Sequence, residues 1–137
     1  MKIEVRYLSK SGNTAKIAES IANAVGARAK TIDEPVAGTT DLLILGGAVY
    51  AFGIDDELKG FIAKLPTSVK QVAVFSTTAV VKTAYPHIAK LLRARGITVS
   101  EREFHCRGAF KFMHKGRPNE EDLANAVKFA KDVANAR

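Results

Sequence analysis

The chain of 137 residues is 47% apolar and 26% charged, a composition that is typical of a single folded domain over residues 1–137 and not of disorder. Its net charge is +7, but the basic residues form no run and no basic–aromatic stripe, so nucleic-acid binding is not expected. Cys106 is the only cysteine, no stretch has the ~18–20 apolar residues that span a bilayer, and the first residues lack a signal peptide, so we expect a cytoplasmic protein.

Short strand-like segments alternate with segments of helical periodicity in the first half of the chain. Residues 2–8 are apolar at every second position, and residues 14–25 place their apolar side chains on one helical face. A second strand is predicted at 28–33 and a third at 42–45, where a continuous apolar run indicates burial on both faces. The link 34–40 between these strands is too short for more than one helical turn.

The second half of the chain continues this alternation and ends in a helix. The predicted elements are a helix from about Asp55 to Leu65, a strand over 71–75, a helix over 84–94, a strand over 97–106 and a final helix capped by Asn119. Five strands alternating with four helices indicate an α/β fold, a doubly wound parallel sheet with helices on both faces.

The first loop of the predicted sheet has the composition of a phosphate site. Ligands of such sheets bind outside the carboxyl ends of the strands. The loop Ser9-Lys10-Ser11-Gly12-Asn13-Thr14 lies at that edge and combines hydroxyl groups, a glycine and the amides of a helix N-terminus. The alternative is that Asn13 or Ser11 only caps the helix. The motifs G-x-x-x-x-G-K-[ST] and G-x-G-x-x-G are absent from the sequence, which argues against nucleotide hydrolysis and dinucleotide binding.

The segment Ser9-x-Ser11-Gly12-Asn13-Thr14 resembles the phosphate loop [TS]-x-[TS]-G-x-T of flavodoxins. The likeness continues through GGAVY at 46–50, FSTT at 75–78, FHCRG at 104–108 and GRPNEEDL at 116–123. The resemblance implies a flavodoxin-like fold of the short-chain type with strand order 2-1-3-4-5. It also implies flavin mononucleotide (FMN) as the cofactor, bound between the first and third strands.

The resemblance further implies which residues contact FMN. The first loop would hold the phosphate, and two other segments would flank the isoalloxazine ring. Tyr50 is the candidate for stacking on the ring, the alternative being a tyrosine that only closes the strand end. The implied cofactor-binding residues are Ser9, Lys10, Ser11, Gly12, Asn13, Thr14, Ala48, Val49, Tyr50, Ala51, Phe52, Gly53, Ser76, Thr77, Thr78, Ala79 and Val80.

An electron carrier is the function that the resemblance implies, with FMN performing the chemistry and no side chain acting as a catalytic residue. The alternative is an FMN-dependent oxidoreductase of the quinone reductase or protoporphyrinogen oxidase type, and a flavin-free binding protein is a third possibility. Unlike acidic flavodoxins, this chain is basic. Arg107, Lys111, Lys115 and Arg117 are predicted to form a docking surface for an acidic redox partner or a carboxylate-bearing substrate, or else to be a solvated loop.

The cysteine and the histidines give no sign of a reactive centre. Cys106 is predicted to be a small buried residue near a strand end and not a nucleophile. His87, His105 and His114 have no metal-like spacing with one another or with Cys106, so no metal site is expected.

Overall fold

The computed structural model describes residues 1–10, 12–49, 54–78, 83–108 and 116–136. Within these residues, strands and helices alternate as the sequence predicts. In chain order they are β1 (Ile3–Tyr7), α1 (Asn13–Val25), β2 (Ala29–Thr31), β3 (Leu42–Val49), α2 (Asp56–Lys64), β4 (Gln71–Thr78), α3 (Tyr85–Ala94), β5 (Val99–Arg107) and α4 (Glu120–Asn135).

The five strands form one parallel sheet in the order β2-β1-β3-β4-β5, which confirms the predicted fold class and strand order. From β1 the chain moves outward to β2 and then returns to β3 on the other side of β1. The order therefore reverses between β1 and β3, and the loops at their carboxyl ends diverge there. Register places Gly46 of β3 between Tyr7 of β1 and Phe75 of β4.

Helices cover both faces of the sheet and bury an apolar core on each. The two layers are α1 with α4 on one face and α2 with α3 on the other, and no helix among the described residues is long and apolar enough to cross a membrane. The first layer is packed by Ile17, Ile21, Phe75, Ala126 and Ala130, and the second by Leu58, Ile62, Leu92, Ile88 and Val74.

The link between β2 and β3 forms turns and no helix over residues 32–41, as its length predicts. Arg6 of β1 satisfies part of its backbone. The buried guanidinium donates to the carbonyl oxygen of Glu34 at 2.9 Å and to that of Pro35 at 2.8 Å, and it pairs with Glu4 at 2.9 Å. A buried charge needs such partners, because an unpaired one is costly to desolvate. The Arg6 side chain therefore satisfies backbone carbonyl groups that a crossover helix would satisfy by its own hydrogen bonds.

Strands β3 and β4 extend three or four residues beyond the predicted ends at 45 and 75. The added residues pair with one another in register, Gly47 with Ser76 and Ala48 with Thr77. Backbone hydrogen bonds form this ladder, so the strands continue where the apolar pattern has stopped. The extension carries the hydroxyl side chains of Ser76 and Thr77 on a rigid strand and not on a loop.

Two glycines of β3 allow both helical layers to pack closely at this end of the sheet. A Cβ atom built on Gly46 would overlap the ring of the buried residue Phe75. A Cβ atom on Gly47 would lie 2.6 Å from Cδ2 of Leu58, on the opposite face. The Phe75 ring is rigid and fully buried, so the Gly46 position requires glycine, whereas at Gly47 the end of the Leu58 side chain would have to shift.

Replacement of Gly46 by alanine should lower the free energy of unfolding by about 1–3 kcal/mol, the cost of overpacking a filled core. Urea denaturation of the apoprotein measures the change. The control is Gly60→Ala on the exposed side of α2, where an added Cβ meets nothing within 4 Å and alanine favours the helix. Equal stability of the Gly46→Ala and wild-type proteins would contradict the packing described here.

Candidate functional site

The carboxyl edge of the sheet brings the predicted phosphate loop against β4 and β5. The hydroxyl groups of Thr14, in the first turn of α1, and Thr77, near the end of β4, share a buried hydrogen bond of 2.7 Å. Gly108, just after β5, lies so close to Asn13 that an added Cβ would be 2.8 Å from the Asn13 amide nitrogen. Three loops that are distant in sequence therefore converge around the N-terminus of α1.

The backbone of the first loop is shaped by Gly12 and Ser9. Gly12 occupies the N-cap position of α1 with a φ of 87°, and no described side chain caps the helix. Asn13 is the first helical residue, so the alternative in which Asn13 is the N-cap is wrong; Ser11 lies outside the described residues. The Gly12 amide donates to the Ser9 hydroxyl oxygen at 3.0 Å, which leaves the Ser9 O–H to donate to a ligand.

An anion is the ligand that this loop suits. The first amides of a helix have no partner within the helix, and the helix dipole places a partial positive charge there. Among the described residues, nothing lies within 4 Å of a Cβ atom built on Gly12, so these residues leave the loop open on that side. The opening, the Ser9 hydroxyl and the N-terminus of α1 together form a cradle for a phosphate group.

Lys10 extends from the same loop toward the N-terminus of α2. Its Nζ atom lies 3.1 Å from Oε1 of Glu57 and 3.8 Å from Oδ2 of Asp55. Asp55 is also the N-cap of α2 and accepts from the Glu57 amide at 2.8 Å. These groups are solvent-exposed, so each ion pair contributes at most about 1 kcal/mol to stability. Their main effect is to balance the Lys10 charge locally.

A chain of hydrogen bonds runs from the end of β4 to β5. The buried Ser76 hydroxyl contacts Thr83 Oγ1 at 3.3 Å and accepts from the Ala84 amide at 3.2 Å. Thr83 Oγ1 donates to Oε2 of Glu103 at 3.2 Å and accepts from the Tyr85 amide at 3.1 Å. His105 Nδ1 lies 2.8 Å from Oε1 of Glu103.

Glu103 sets the direction of this hydrogen-bond chain. A carboxylate only accepts, so Thr83 and His105 donate to it, and Ser76 in turn donates to Thr83. The first turn of α3 contains no acidic residue, and Glu103 supplies a negative charge near that helix N-terminus from the neighbouring strand. The pair Thr83 and Glu103 therefore fixes the start of α3 against β5. Sequence reasoning missed this role, because Glu103 has the appearance of an ordinary exposed strand residue.

Arg117, a residue of the predicted docking surface, forms an ion pair with the first turn of α4. Its Nε and Nη2 atoms donate to the two carboxylate oxygens of Asp122 at 2.5 and 2.6 Å. Asp122 also accepts from the Asn119 amide at 2.8 Å and completes the predicted cap of α4. Arg107 lies at the end of β5, 3.5 Å from Thr78 Oγ1, whereas Lys111 and Lys115 lie outside the described residues.

The Arg117–Asp122 contact changes the acidity of the carboxyl group. Burial by itself would raise the pKa of Asp122. Hydrogen bonds from Arg117 and from the Asn119 amide, together with the Arg117 charge, outweigh burial and hold the pKa below its usual value of 3.8. Asp122 is therefore ionised in the folded protein throughout the neutral and mildly acidic range.

Cys106 is buried, as predicted, and its thiol is unreactive at neutral pH. Burial, and secondarily the nearby Asp122 charge, raises the pKa of its thiol to about 12. The thiol stays protonated at neutral pH, and the protonated form is a poor nucleophile. Within the described part of the chain, no three His, Cys, Asp or Glu side chains are arranged to hold a metal ion.

A groove of about 630 Å³ lies on the α2–α3 side of the sheet, beneath the link between β2 and β3. It runs between that link and α2, and its walls include Ile32, Val36 and Phe61. The groove exists because this crossover has no helix to cover the sheet. It lacks the hydroxyl groups and helix N-terminus of the first loop, so we assign the anion site to the carboxyl edge.

The structure describes about half of the predicted cofactor-binding residues, and these lie at the carboxyl edge. Ser9, Lys10, Gly12, Asn13, Thr14, Ala48, Ser76, Thr77 and Thr78 occupy that edge, and Val49 is the last residue of β3. The predictions for Ser11, Tyr50, Ala51, Phe52, Gly53, Ala79 and Val80 fall outside the described residues.

Comparison with known proteins gives one family and several similar structures. The model of the Flavodoxin domain family matches residues 5–111. An uncharacterized protein of Methanocaldococcus jannaschii is 26% identical over 134 residues, which cover 88% of this chain and 89% of that protein.

Solved structures of flavodoxins share the fold. A flavodoxin from the domain Archaea has a TM-score of 0.83 at 21% identity, covering 99% of this chain and 98% of its own. Flavodoxin 2 from Bacillus cereus has a TM-score of 0.73 at 22% identity, covering 100% of both chains. A short-chain flavodoxin associated with a bacterial microcompartment has a TM-score of 0.77 at 17% identity, covering 99% of each chain.

Replacement of Glu103 by glutamine should lower the free energy of unfolding by about 1–2 kcal/mol, because the charged acceptor of Thr83 and His105 is lost. The matched control is Glu101→Gln on the same strand, whose exposed side chain should change stability by less than about 0.5 kcal/mol. Urea denaturation at pH 7 compares the two variants. If both variants lose the same stability, Glu103 has no special role.

Replacement of Asp122 by asparagine should cost about 1.5–3 kcal/mol of stability at pH 7, the range for hydrogen bonds to a charged group. A carboxyl group with a lowered folded-state pKa stabilises the protein above its unfolded-state value of about 3.9 and stops doing so as pH falls through the folded-state value. The difference between wild type and variant should therefore shrink below about pH 4. Urea unfolding between pH 7 and pH 3 tests this, with the exposed Asp33→Asn as control; a constant difference contradicts it.

Proposed function

Since this chain belongs to the flavodoxin family, whose members bind FMN, we propose that it holds FMN at the carboxyl edge of its sheet and acts as an electron-transfer protein. The cradle formed by Ser9, Gly12 and the N-terminus of α1 is the observation that supports this proposal most directly. It provides a hydroxyl donor, backbone amides and open space at one point. A phosphate monoester uses all three of these features.

The residues behind the cradle fit a bound phosphate as well. Thr14 is 1% exposed, and its bond to Thr77 holds the first turn of α1 against β4. Gly108 closes the opposite side by packing directly on Asn13. We propose that Ser9, Ser11 and Thr14 donate hydroxyl hydrogen bonds to the phosphate and that the α1 dipole stabilises its charge. The fixed contacts preorganise the loop, so little ordering is required when FMN binds.

FMN, when bound, supplies one- and two-electron chemistry through its ring. The chain contributes position, solvent exclusion and local charge. Ser76, Thr77 and Thr78 are all buried, with 3% exposure or less, on the extended part of β4. We propose that this strand end and the segments Ala48–Gly53 and Ala79–Val80 flank the ring, with Tyr50 as the candidate for stacking.

An electron carrier fits the site better than a substrate-specific oxidoreductase. Three titratable groups at this edge are held in ion pairs: Lys10 with Glu57, His105 with Glu103, and Arg117 with Asp122. The Cys106 thiol is held protonated. A group that is committed to a structural partner is poorly placed to exchange protons with a substrate. Electron transfer through FMN needs no such group.

We further propose that the redox partner is a protein that approaches beside Arg107, at the carboxyl end of β5. Arg107 lies near Gly108 and hence near the cradle. Lys111 and Lys115 follow it in sequence, and an acidic partner is the complement of these three charges. The balanced charge of Arg117 makes its contribution smaller than the sequence predicts. The expected setting is the cytoplasm, where Cys106 would stay reduced.

Replacement of Thr14 by valine, which removes the hydroxyl and keeps the shape, should weaken FMN binding about 10- to 150-fold, equivalent to about 1.5–3 kcal/mol. Titration calorimetry measures the affinity for FMN and for riboflavin, which lacks the phosphate. The wild-type protein should prefer FMN, and Thr14→Val should leave riboflavin affinity unchanged.

Two controls accompany this measurement. Thr98→Val makes the same change at the amino edge of the sheet, and Cys106→Ala alters the buried thiol at the end of β5; neither should change FMN affinity. Equal affinity of the wild-type protein for riboflavin and FMN would refute the phosphate assignment. Turnover of quinones with a nicotinamide cofactor, at rates typical of enzymes, would favour the oxidoreductase alternative.

A further inference from the structure

The excess positive charge of the protein comes from one segment of the chain. Residues 58–100 contain seven of the 21 Lys and Arg residues and none of the 14 Asp and Glu residues. The other 14 basic residues are balanced by all 14 acidic residues, so the net charge of +7 equals the charge of this segment. The segment forms most of α2, the strand β4, and α3. The described charges of the segment lie on these two helices, at the end of α3 and just before β4, and Lys82 lies outside the described residues.

Four of these cations point outward from the α2–α3 layer. They are Lys59 and Lys64 on α2 and Lys90 and Arg93 on α3, and all four residues are exposed. We call them the basic face. Three other exposed residues of α2 and α3, Gly60, Ala63 and Ala94, are small and do not project above the charged side chains. The result is a charged surface without bulky obstacles.

Arg95 holds the ends of the two helices together. Its Nη1 atom donates to the carbonyl oxygens of Ile62 and Leu65 at 2.7 and 2.6 Å, so it caps the C-terminus of α2 from the end of α3. Lys64 and Arg93 lie in the last turns of α2 and α3. The cap therefore places these two cations at the same end of the α2–α3 layer.

Outside the basic face, more of the basic residues form ion pairs with acidic residues. Lys10 contacts Asp55 and Glu57, Lys70 contacts Asp41, and Arg117 contacts Asp122. On the basic face, Lys59 has a 3.7 Å contact with Asp56, whose side chain is 98% exposed and therefore weakly held. Helices α1 and α4 mix both signs of charge on their exposed residues. Helix α2 also carries two exposed acidic residues, Asp56 and Glu57, but both lie in its first turn, and α3 carries none. The unbalanced positive charge of this layer therefore lies beyond the first turn of α2 and on α3.

We propose that the basic face is a docking surface for a protein whose surface is rich in carboxylates. Clustered charge of one sign steers and orients a complementary partner. The patch lacks the exposed aromatic side chains that stack on bases, and four cations on two short helices do not form a track for a nucleic-acid backbone. These features favour an acidic protein over a nucleic acid.

The position of this docking surface separates it from the flavin site. The last turns of α2 and α3 lead toward the starts of β4 and β5, so Lys64 and Arg93 lie toward the amino edge of the sheet. The phosphate cradle lies at the carboxyl edge. A partner on the basic face leaves the carboxyl edge accessible, and the proposal does not depend on FMN binding.

Charge reversal on matched faces tests the proposal. One variant combines Lys64→Glu, Lys90→Glu and Arg93→Glu, and the control combines Lys16→Glu, Lys128→Glu and Lys131→Glu on the exposed sides of α1 and α4. Both variants change the net charge equally. The probe is immobilised poly-L-glutamate, with binding measured by biolayer interferometry in about 0.15 M salt, where long-range charge effects are screened. The first variant should weaken binding about tenfold or more, and the control less than about threefold.

Several outcomes would overturn the proposal. Equal weakening in both variants would show that binding depends only on net charge. Failure of the wild-type protein to bind poly-L-glutamate would show that the basic face does not bind a carboxylate-rich partner. Tighter binding of duplex DNA or of phosphatidylserine vesicles than of poly-L-glutamate would assign the face to another class of ligand. If the reversal variant does not fold, as judged by circular dichroism, the milder variant with Lys64→Gln, Lys90→Gln and Arg93→Gln is tested in its place. FMN affinity, measured in parallel, should stay unchanged in all variants.

Discussion

Gly46 and Gly47 of β3 leave room for a large buried side chain on each face of the sheet. The ring of Phe75 occupies the space beside Gly46 on the α1–α4 face, and Leu58 occupies the space beside Gly47 on the α2–α3 face. Both contacts lie on the central strand, just before the carboxyl edge. At this end of the sheet, the first turn of α1 lies within hydrogen-bond distance of β4 through Thr14. The site is therefore assembled by the core and not by the loops alone.

Polar contacts then fix what the core brings together. The hydroxyl of Thr77 anchors α1, and the chain from Ser76 through Thr83 to Glu103 anchors α3. Both anchors use residues on strands, which hold side chains more rigidly than loops do. Around this edge the charged groups are mostly paired, so the local field is more balanced than the net charge of +7 indicates. The unbalanced charge lies instead on α2 and α3.

Periodicity was sufficient to predict the order of elements, because strands and helices bury their apolar side chains at different spacings. The ends of β3 and β4 were missed, since the pairing of Ala48 with Thr77 depends on the neighbouring strand and not on hydrophobicity. Arg6 and Glu103 were missed for another reason. Each is a charged residue in an alternating strand, and only the fold shows that Arg6 satisfies the link after β2 and that Glu103 accepts from Thr83. The Arg117–Asp122 pair likewise depends on how α4 begins.

The protonation state of the phosphate in the FMN complex is the property most sensitive to where that group is bound. Phosphorus NMR of the complex as a function of pH measures it. A phosphate monoester loses its second proton near pH 6, so the resonance of free FMN shifts between about pH 5 and 7. Donors from Ser9 and the N-terminus of α1 stabilise the dianion, so the bound resonance should stay constant over this range. A bound resonance that titrates like that of free FMN would show that the phosphate remains in solvent and that the cradle does not hold it.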